Sequence, residues 1–330
     1  MEDIANLIKL LSKPKDVVII AHRNPDGDAI GSSLAMKLFL NKLHHSCHVV
    51  LPSEYPSVFE FLPHINEVVI FDTDRLKAVE LIETAEIIFC LDFNSLDRIE
   101  KMEHLVNDAK AAKILIDHHL DPEPFADYYL SDTKASSTCE LVFRFLEEID
   151  HADKIDIPIG TCLFTGILTD TGSFKYATNP AVFKMASHLK SIGVDDTELN
   201  DKIFNSLTER QLNILGHALR NRMEILPELN TGIIYLSKQD YLKYQISRGD
   251  TEGLVNYILM IKGMRVAVFI REMPAGDIRL SFRSKGEISV QQLARDHFGG
   301  GGHKNASGGN SNLGLEETID KFKSVVKNYV

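Results

Sequence analysis

No tryptophan occurs in the 330 residues, and aromatic side chains make up only 8%. A protein that tracks long single-stranded nucleic acid needs stacking rings along an extended basic groove. Positive charge is short as well: 36 Lys and Arg stand against 47 Asp and Glu, a net charge of −11. That balance argues against gripping long nucleic acid through the general surface field. It leaves a short anionic ligand open, because salt screens a distant acidic surface over roughly 8–10 Å. No long uncharged apolar run is present, so no membrane span is expected. Met1-Glu2-Asp3-Ile4 has neither a basic nor an apolar leader segment. The four cysteines, Cys47, Cys90, Cys139 and Cys162, are scattered among apolar neighbours with no paired metal spacing. They read as reduced, buried thiols, and the expected location is cytoplasmic.

The first half alternates short β-branched runs with helical patterns. Val17–Ala21, Cys47–Leu51, Val68–Phe71, Ile87–Leu91 and Lys113–Ile116 are nearly uninterrupted in apolar character, the pattern of a parallel sheet covered on both faces. Ile30–Leu43 and Thr138–Glu148 carry apolar residues at helical spacing. From Pro180 to Pro227 the chain reads helical, over Ala181–Ile192, Asp196–Ser206 and Glu209–Met223, with no sheet signal. Beyond Leu229 strands reappear at Gly232–Ser237, Arg265–Glu272 and Asp277–Ser284. Helical patterns there fall at Gly253–Lys262, Val290–Phe298 and Leu315–Asn328. The expectation is an α/β protein: a parallel-sheet domain over residues 1–188, a helical connector over 189–227, and a smaller α/β domain over 228–330. The active site is expected in the cleft between the two domains.

Acids and imidazoles recur where these apolar runs end. His22-Arg23-Asn24-Pro25-Asp26-Gly27-Asp28 follows the first run, Asp92 ends the fourth, and Asp117-His118-His119 follows the fifth. Asp170 follows Gly166-Ile167-Leu168-Thr169. In open α/β sheets, ligands gather at the carboxyl ends of the strands. A carboxylate at the end of a buried element has to be solvated, paired or bound to a metal. Taken singly, each cluster has an ordinary reading: Asp-Gly-Asp as a turn, adjacent histidines as surface residues, Asp170 as a helix cap. Their joint occurrence favours a polynuclear centre. His22, Asp26, Asp28, Asp92, His118 and Asp170 offer carboxylates and imidazoles without thiolate, a donor set suited to Mn²⁺ and less well to Mg²⁺ or Fe²⁺. Four carboxylates balance two divalent cations, the usual device for phosphoester hydrolysis, with one aspartate as bridge.

Arg98 is placed to clamp a phosphate, or else to pair with Asp97 or Glu100. The run Gly299-Gly300-Gly301-Gly302-His303-Lys304 lets backbone N–H groups approach an anion, with Lys262, Arg265, Arg271, Arg279, Arg283 and Lys285 making this half locally basic. Together they read as a phosphate-binding platform.

These motifs resemble the DHH phosphoesterase superfamily. His22 with Pro25-Asp26-Gly27-Asp28-Ala29-Ile30-Gly31-Ser32 looks like its first motif and Asp92 its second. Asp117-His118-His119 looks like the third and name-giving one, and Thr169-Asp170-Thr171-Gly172 the fourth. Ser281-Phe282-Arg283-Ser284 and Gly300-Gly301-Gly302-His303 resemble the DHH-associated C-terminal domain. The likeness spans essentially the whole chain, and the compact layout looks most like the nanoRNase/pAp phosphatase group. It implies one Mn²⁺ on His22, Asp26 and Asp92, and a second on Asp28, Asp92, His118 and Asp170, with Asp92 bridging. It also implies that Asp117 orients an imidazole, and that His119 and Arg98 act at the scissile phosphate. Arg283, Ser284, Gly300, Gly301, Gly302 and His303 would then bind the distal end of the substrate.

The implied substrates are short single-stranded oligonucleotides of about two to five nucleotides and pAp, because a two-domain cleft limits length rather than sequence. The family also holds cyclic di-AMP and pApA phosphodiesterases, RecJ-like exonucleases and pyrophosphatases. The aromatic-poor, acidic composition disfavours the processive exonucleases. A nucleotide sensor that has lost catalysis would be expected to lack at least one of the ligands. A homodimer through the apolar surface of the first domain is a further expectation.

Overall fold

The computed structural model describes residues 2–247 and 249–330. The chain divides into two compact units, one ending at Ser206 and one beginning at Leu207. This division falls inside the stretch read as a connector.

The first unit is built on strands β1 (Asp16–Ile20), β2 (Ser46–Leu51), β3 (Val69–Ile70), β4 (Ile87–Leu91), β5 (Ala112–Asp117) and β6 (Tyr128–Ser131). All pair in parallel in the order β3-β2-β1-β4-β5-β6. Its helices are α1 (Glu2–Leu10), α2 (Gly27–Lys42), α3 (Arg75–Thr84), α4 (Glu103–Asp108), α5 (Thr138–Glu148), α6 (Ile157–Asp170), α7 (Pro180–Ser191) and α8 (Asp196–Phe204). Alternation of side chains along each strand serves both faces. Val17 and Ile19 of β1 pack into the core formed with α2, α5 and α6, while Val18 and Ile20 join Ala78, Ile82 and Val106 on the other side. The strand order reverses between β1 and β4, and that switch point is where a crevice opens at the carboxyl ends.

The second unit contains α9 (Glu209–Asn221), β7 (Met223–Leu226), β8 (Thr231–Leu236), α10 (Lys238–Tyr244), α11 (Asn256–Leu259), β9 (Val266–Glu272) and β10 (Ile278–Ser284). It continues with α12 (Val290–Phe298), β11 (Gly301–His303), β12 (Ala306–Ser311) and α13 (Leu315–Val326). Its mixed sheet runs β11-β12-β10-β9-β8-β7. Val266, Val268 and Ile270 face α12 and α13, while Ala267 and Phe269 face the core with Ile214, Tyr241 and Ile258.

Several elements differ from the sequence reading, α10 and β12 among those it did not contain. β6 and β7 were absent from it, since both are short and only half-buried. The glycine cluster, read as a phosphate-binding platform without assigned structure, is part of the sheet. Gly299 closes α12 in the left-handed conformation, and Gly301 to His303 pair antiparallel with β12. A Cβ on Gly300 would lie 1.9 Å from the Gly308 carbonyl oxygen, so close strand approach is what this glycine permits. No helix among the described residues is long and apolar enough to cross a membrane, and all four cysteines are buried free thiols.

Candidate metal centre

The helix α2 begins directly after the His22 loop because Asp26 caps it: its carboxylate accepts from the Asp28 and Ala29 N–H groups at 3.0 and 3.1 Å. Capping puts Asp28 in the first turn, fully buried. Asp28 in turn accepts from two N–H groups at the start of α5, Thr138 at 2.5 Å and Cys139 at 2.9 Å. This helix terminus is a ready anion site, which explains how an ionisable side chain is tolerated at that depth. Close crossing of α2 and α6 is required as well. A Cβ on Gly166 would stand 2.2 Å from Cys139 Sγ and 2.6 Å from Asp28 Oδ1.

Asp92 follows β4 in the left-handed region, at φ 63°, an uncommon conformation for an aspartate and one that turns its carboxyl away from the strand axis. It is buried and central. Its Oδ2 lies 3.4 Å from His22 Nε2, and its Oδ1 lies 3.6 Å from His118 Nε2 and 3.7 Å from His119 Nδ1. The Thr138 hydroxyl donates to Asp92 Oδ1 at 3.0 Å. His118 Nε2 also stands 3.4 Å from Asp170 Oδ2 and 4.0 Å from Asp28 Oδ2. Three overlapping groups result, each with ligand atoms within 4.8 Å of one another: His22–Asp26–Asp92, Asp28–His118–Asp170, and Asp92–His118–His119. Every metal candidate read from the sequence is thus brought into one cluster.

The tautomers are set by neighbours. His22 Nδ1 lies 2.9 Å from the Arg23 carbonyl, which only accepts, so Nδ1 donates and Nε2 is directed at Asp26 and Asp92. Asp117, fully buried, accepts from His119 twice, from its backbone N–H at 2.9 Å and from Nδ1 at 2.7 Å. The imidazole that Asp117 orients is therefore that of His119.

Charges in this cluster do not balance by themselves. Burial, then Asp92, pushes the Asp28 carboxyl up to about 7. Burial, then Asp28 and Asp26, lifts Asp170 well above the usual range. Asp170 also closes α6, where the helix dipole opposes a negative charge. Burial would raise Asp92 too, but the imidazoles of His22, His119 and His118 outweigh it and hold Asp92 low. Burial would lower His22; its bond to Asp92 and the charge of Asp26 raise it instead, to about 9. Among the described residues no Lys or Arg pairs with these four aspartates. Crowded oxygen donors with imidazoles fit divalent metal ions.

Arg98 lies half-buried in the kinked turn after β4, where its carbonyl accepts from the Arg23 N–H at 2.8 Å. The two acids offered as its partners are engaged elsewhere. Asp97 accepts from the Ser95 hydroxyl, and Glu100 pairs with Arg23 Nε at 3.1 Å. The guanidinium stands near enough to His22 to oppose its protonation. In the second unit, Arg283 donates to the Phe282 carbonyl at 2.9 Å. Ser284 is buried: its hydroxyl donates to the Ile288 carbonyl at 2.7 Å and accepts from Asn305 at 2.8 Å. Gly300 is half-buried and Gly301, Gly302 and His303 are exposed, the last three on the edge strand β11; Lys304 pairs with Glu287 at 2.5 Å. The helix over Thr138–Glu148 was read from the sequence, but the contacts of its N-terminus and of Thr138 with Asp28 and Asp92 were not. Their signal was Ser136-Ser137-Thr138 opening a helical pattern, a capping signature.

The sequence model of the DHH family N-terminal domain matches residues 16–167, and that of the DHHA1 domain matches residues 230–330. A protein named bifunctional oligoribonuclease and PAP phosphatase NrnA, from Bacillus subtilis, is 30% identical over 92% of this chain and 91% of its own. The chain belongs to the DHH family. Among solved DHH-like folds, the crystal structure of an exopolyphosphatase-related protein from Bacteroides fragilis superposes with a TM-score of 0.97. It is 36% identical, over 99% of this chain and 96% of that one. A cyclic-di-AMP phosphodiesterase PdeA from Listeria monocytogenes is 27% identical over 90% of this chain but only 45% of its own length.

Proposed function

We propose that this DHH protein is a metal-dependent phosphoesterase that shortens oligonucleotides of about two to five nucleotides and dephosphorylates pAp to AMP. The single observation that carries the reading is the cluster in which Asp92 belongs both to the group with His22 and Asp26 and to the group with His118 and His119. The near full-length match to the B. subtilis oligoribonuclease and PAP phosphatase supports the substrate class. The match to PdeA leaves more than half of that protein without a counterpart, which favours the nanoRNase reading over cyclic di-AMP turnover.

In this reading His22, Asp26 and Asp92 hold one divalent cation, and Asp28, Asp92, His118 and Asp170 hold the other, Mn²⁺ being the best match to the donors. Bound as a pair, the cations supply an activated water and neutralise charge on the phosphate. His119, oriented by Asp117, stabilises the scissile phosphate or protonates the leaving oxygen. Arg98 holds a non-bridging oxygen. Arg283 and the Gly300–His303 segment take the distal phosphate or sugar, while Ser284, expected to bind substrate, has its buried hydroxyl engaged by the Ile288 carbonyl and Asn305. The test is product analysis with pAp, pApA, a five-nucleotide RNA, a 24-nucleotide RNA and cyclic di-AMP in Mn²⁺. Release of mononucleotides from pApA and the five-mer, and of phosphate from pAp, with little action on the long strand, is expected. Preferential opening of cyclic di-AMP would move the protein to second-messenger turnover, and silence on every substrate would indicate a sensor.

A further inference from the structure

Two arginines follow strands β1 and β4 at the cluster, and they are occupied in opposite ways. Every side-chain nitrogen of Arg23 has a partner within the protein. Nη2 pairs with Asp72 Oδ2 at 2.7 Å, Nε pairs with Glu100 Oε2 at 3.1 Å, and Nη1 donates more weakly to the Pro52 carbonyl at 3.4 Å. Lys101 shares Asp72 at 3.1 Å. Among the described residues the Arg98 guanidinium has neither a hydrogen bond nor an ion pair.

The backbone of Arg23 is committed as well. Its N–H donates to the Arg98 carbonyl at 2.8 Å, and its carbonyl accepts from His22 Nδ1 at 2.9 Å. One residue thus ties the loop after β1 to Pro52 after β2, to Asp72 after β3 and to the turn after β4 that carries Arg98. That turn does not follow local propensity. Glu100 stands at φ 46° and ψ −114°, a conformation that a residue with a Cβ keeps only where its surroundings impose it, often beside functional sites. Arg23 grips the turn on both sides, at the Arg98 carbonyl and at the Glu100 carboxylate. Ion pairs as exposed as those of Glu100 and Lys101 add little to stability. What the network fixes is position.

We infer that Arg23 is a positioning residue: it sets the turn that presents Arg98 to the substrate phosphate and does not itself touch substrate. The inference rests on the phosphoesterase reading, in which Arg98 holds a non-bridging oxygen. A clamp acts only from a defined place, since a displacement of about 1 Å can cost about a hundredfold in rate. The Arg98 side chain has no partner to hold it, so its place is set through its backbone, and Arg23 supplies that hold.

A double-mutant cycle on pApA in Mn²⁺ tests this, with Arg23→Met, Arg98→Met and the pair, and with bound manganese and melting temperature measured alongside. Arg98→Met is expected to lose about 10- to 150-fold in kcat/KM, the worth of a hydrogen bond to a charged group. Arg23→Met should lose about 10- to 100-fold with manganese content and melting temperature unchanged. In the Arg98→Met background the same substitution should cost about twofold or less, because the group it positions is gone. Glu100→Gln, which loosens the turn with Arg23 in place, should lose activity only when Arg98 is present. Should Arg23→Met fail to fold, Glu100→Gln and Asp72→Asn carry the cycle. Additive losses would overturn the inference and put Arg23 at the substrate itself. Full activity in Arg23→Met, or an Arg98→Met that costs nothing, would overturn it too, and lost manganese would move the effect to His22. Wild type that leaves pApA intact would remove the phosphoesterase reading and the inference with it.

Discussion

Replacing Asp92 by Asn keeps the shape of the side chain and removes the charge on which two ligand groups converge. The consequence is measurable without substrate. A ligand at about a hundred times its Kd stabilises the folded state by about 2.7 kcal/mol, so two such sites, both filled, contribute about 5 kcal/mol. For a unit of the size that ends at Ser206, each kcal/mol moves the melting temperature by roughly 2–4 °C. Saturating Mn²⁺ should therefore raise the wild-type melting point by roughly 10–20 °C. Asp92→Asn should abolish nearly all of that increment, because both sites lose a ligand. Asp170→Asn leaves His22, Asp26 and Asp92 intact, so about half the increment should survive. Metal-free Asp92→Asn should itself melt lower, since the carboxylate is held ionised by His22, His118 and His119. The informative quantity is accordingly the metal-induced shift, read by calorimetry with and without Mn²⁺. An Asp92→Asn variant that keeps half or more of the shift would refute the bridging role.

Thr138→Val should weaken Mn²⁺ affinity about 10–100-fold, the usual effect of losing an outer partner, while Thr138→Ser should not; titration calorimetry checks this. Gly166→Ala forces a methyl against Cys139 Sγ and Asp28, and should cost about 1–3 kcal/mol in urea unfolding. The metal-free protein should lose stability as pH rises from about 4 to 9. Asp28, raised to about 7, and His22, raised to about 9, both bind protons more tightly folded than unfolded, so their contributions are present at low pH and vanish above those values. Bound Mn²⁺ should flatten that slope, as unfolding at pH 5 and pH 8 would show. Arg283→Met should raise KM for pApA and leave the manganese content unchanged; lost manganese would contradict its place at the substrate.

The parallel sheet was legible because β1, β2, β4 and β5 are largely buried on both faces and therefore read as nearly uninterrupted apolar runs. The clustering of these acids and imidazoles was legible for a related reason: His22, Asp92 and His118 stand where such runs stop, and Asp170 where a buried helix ends. Asp26 and Asp28 read as a turn on their own, yet the turn is the capped first turn of α2. What stayed hidden depends on distant partners. Thr138 meets Asp92 across 46 positions, and Asp28 is held by α5 from 110 residues away. β7 and β11 have too few residues, or too much glycine, for periodicity to register. The left-handed run at Ser173 and Phe174 defies local propensity and is imposed by Thr171, Asn200 and Phe183.

The central claim is that two cations on one shared aspartate perform the hydrolysis. The most direct test follows AMP release from pApA while metal-free protein receives Mn²⁺ in measured equivalents. The account predicts little activity at one bound equivalent and full activity at two, with Asp92→Asn inactive throughout. Full activity with a single bound ion, or turnover by Asp92→Asn, would contradict it.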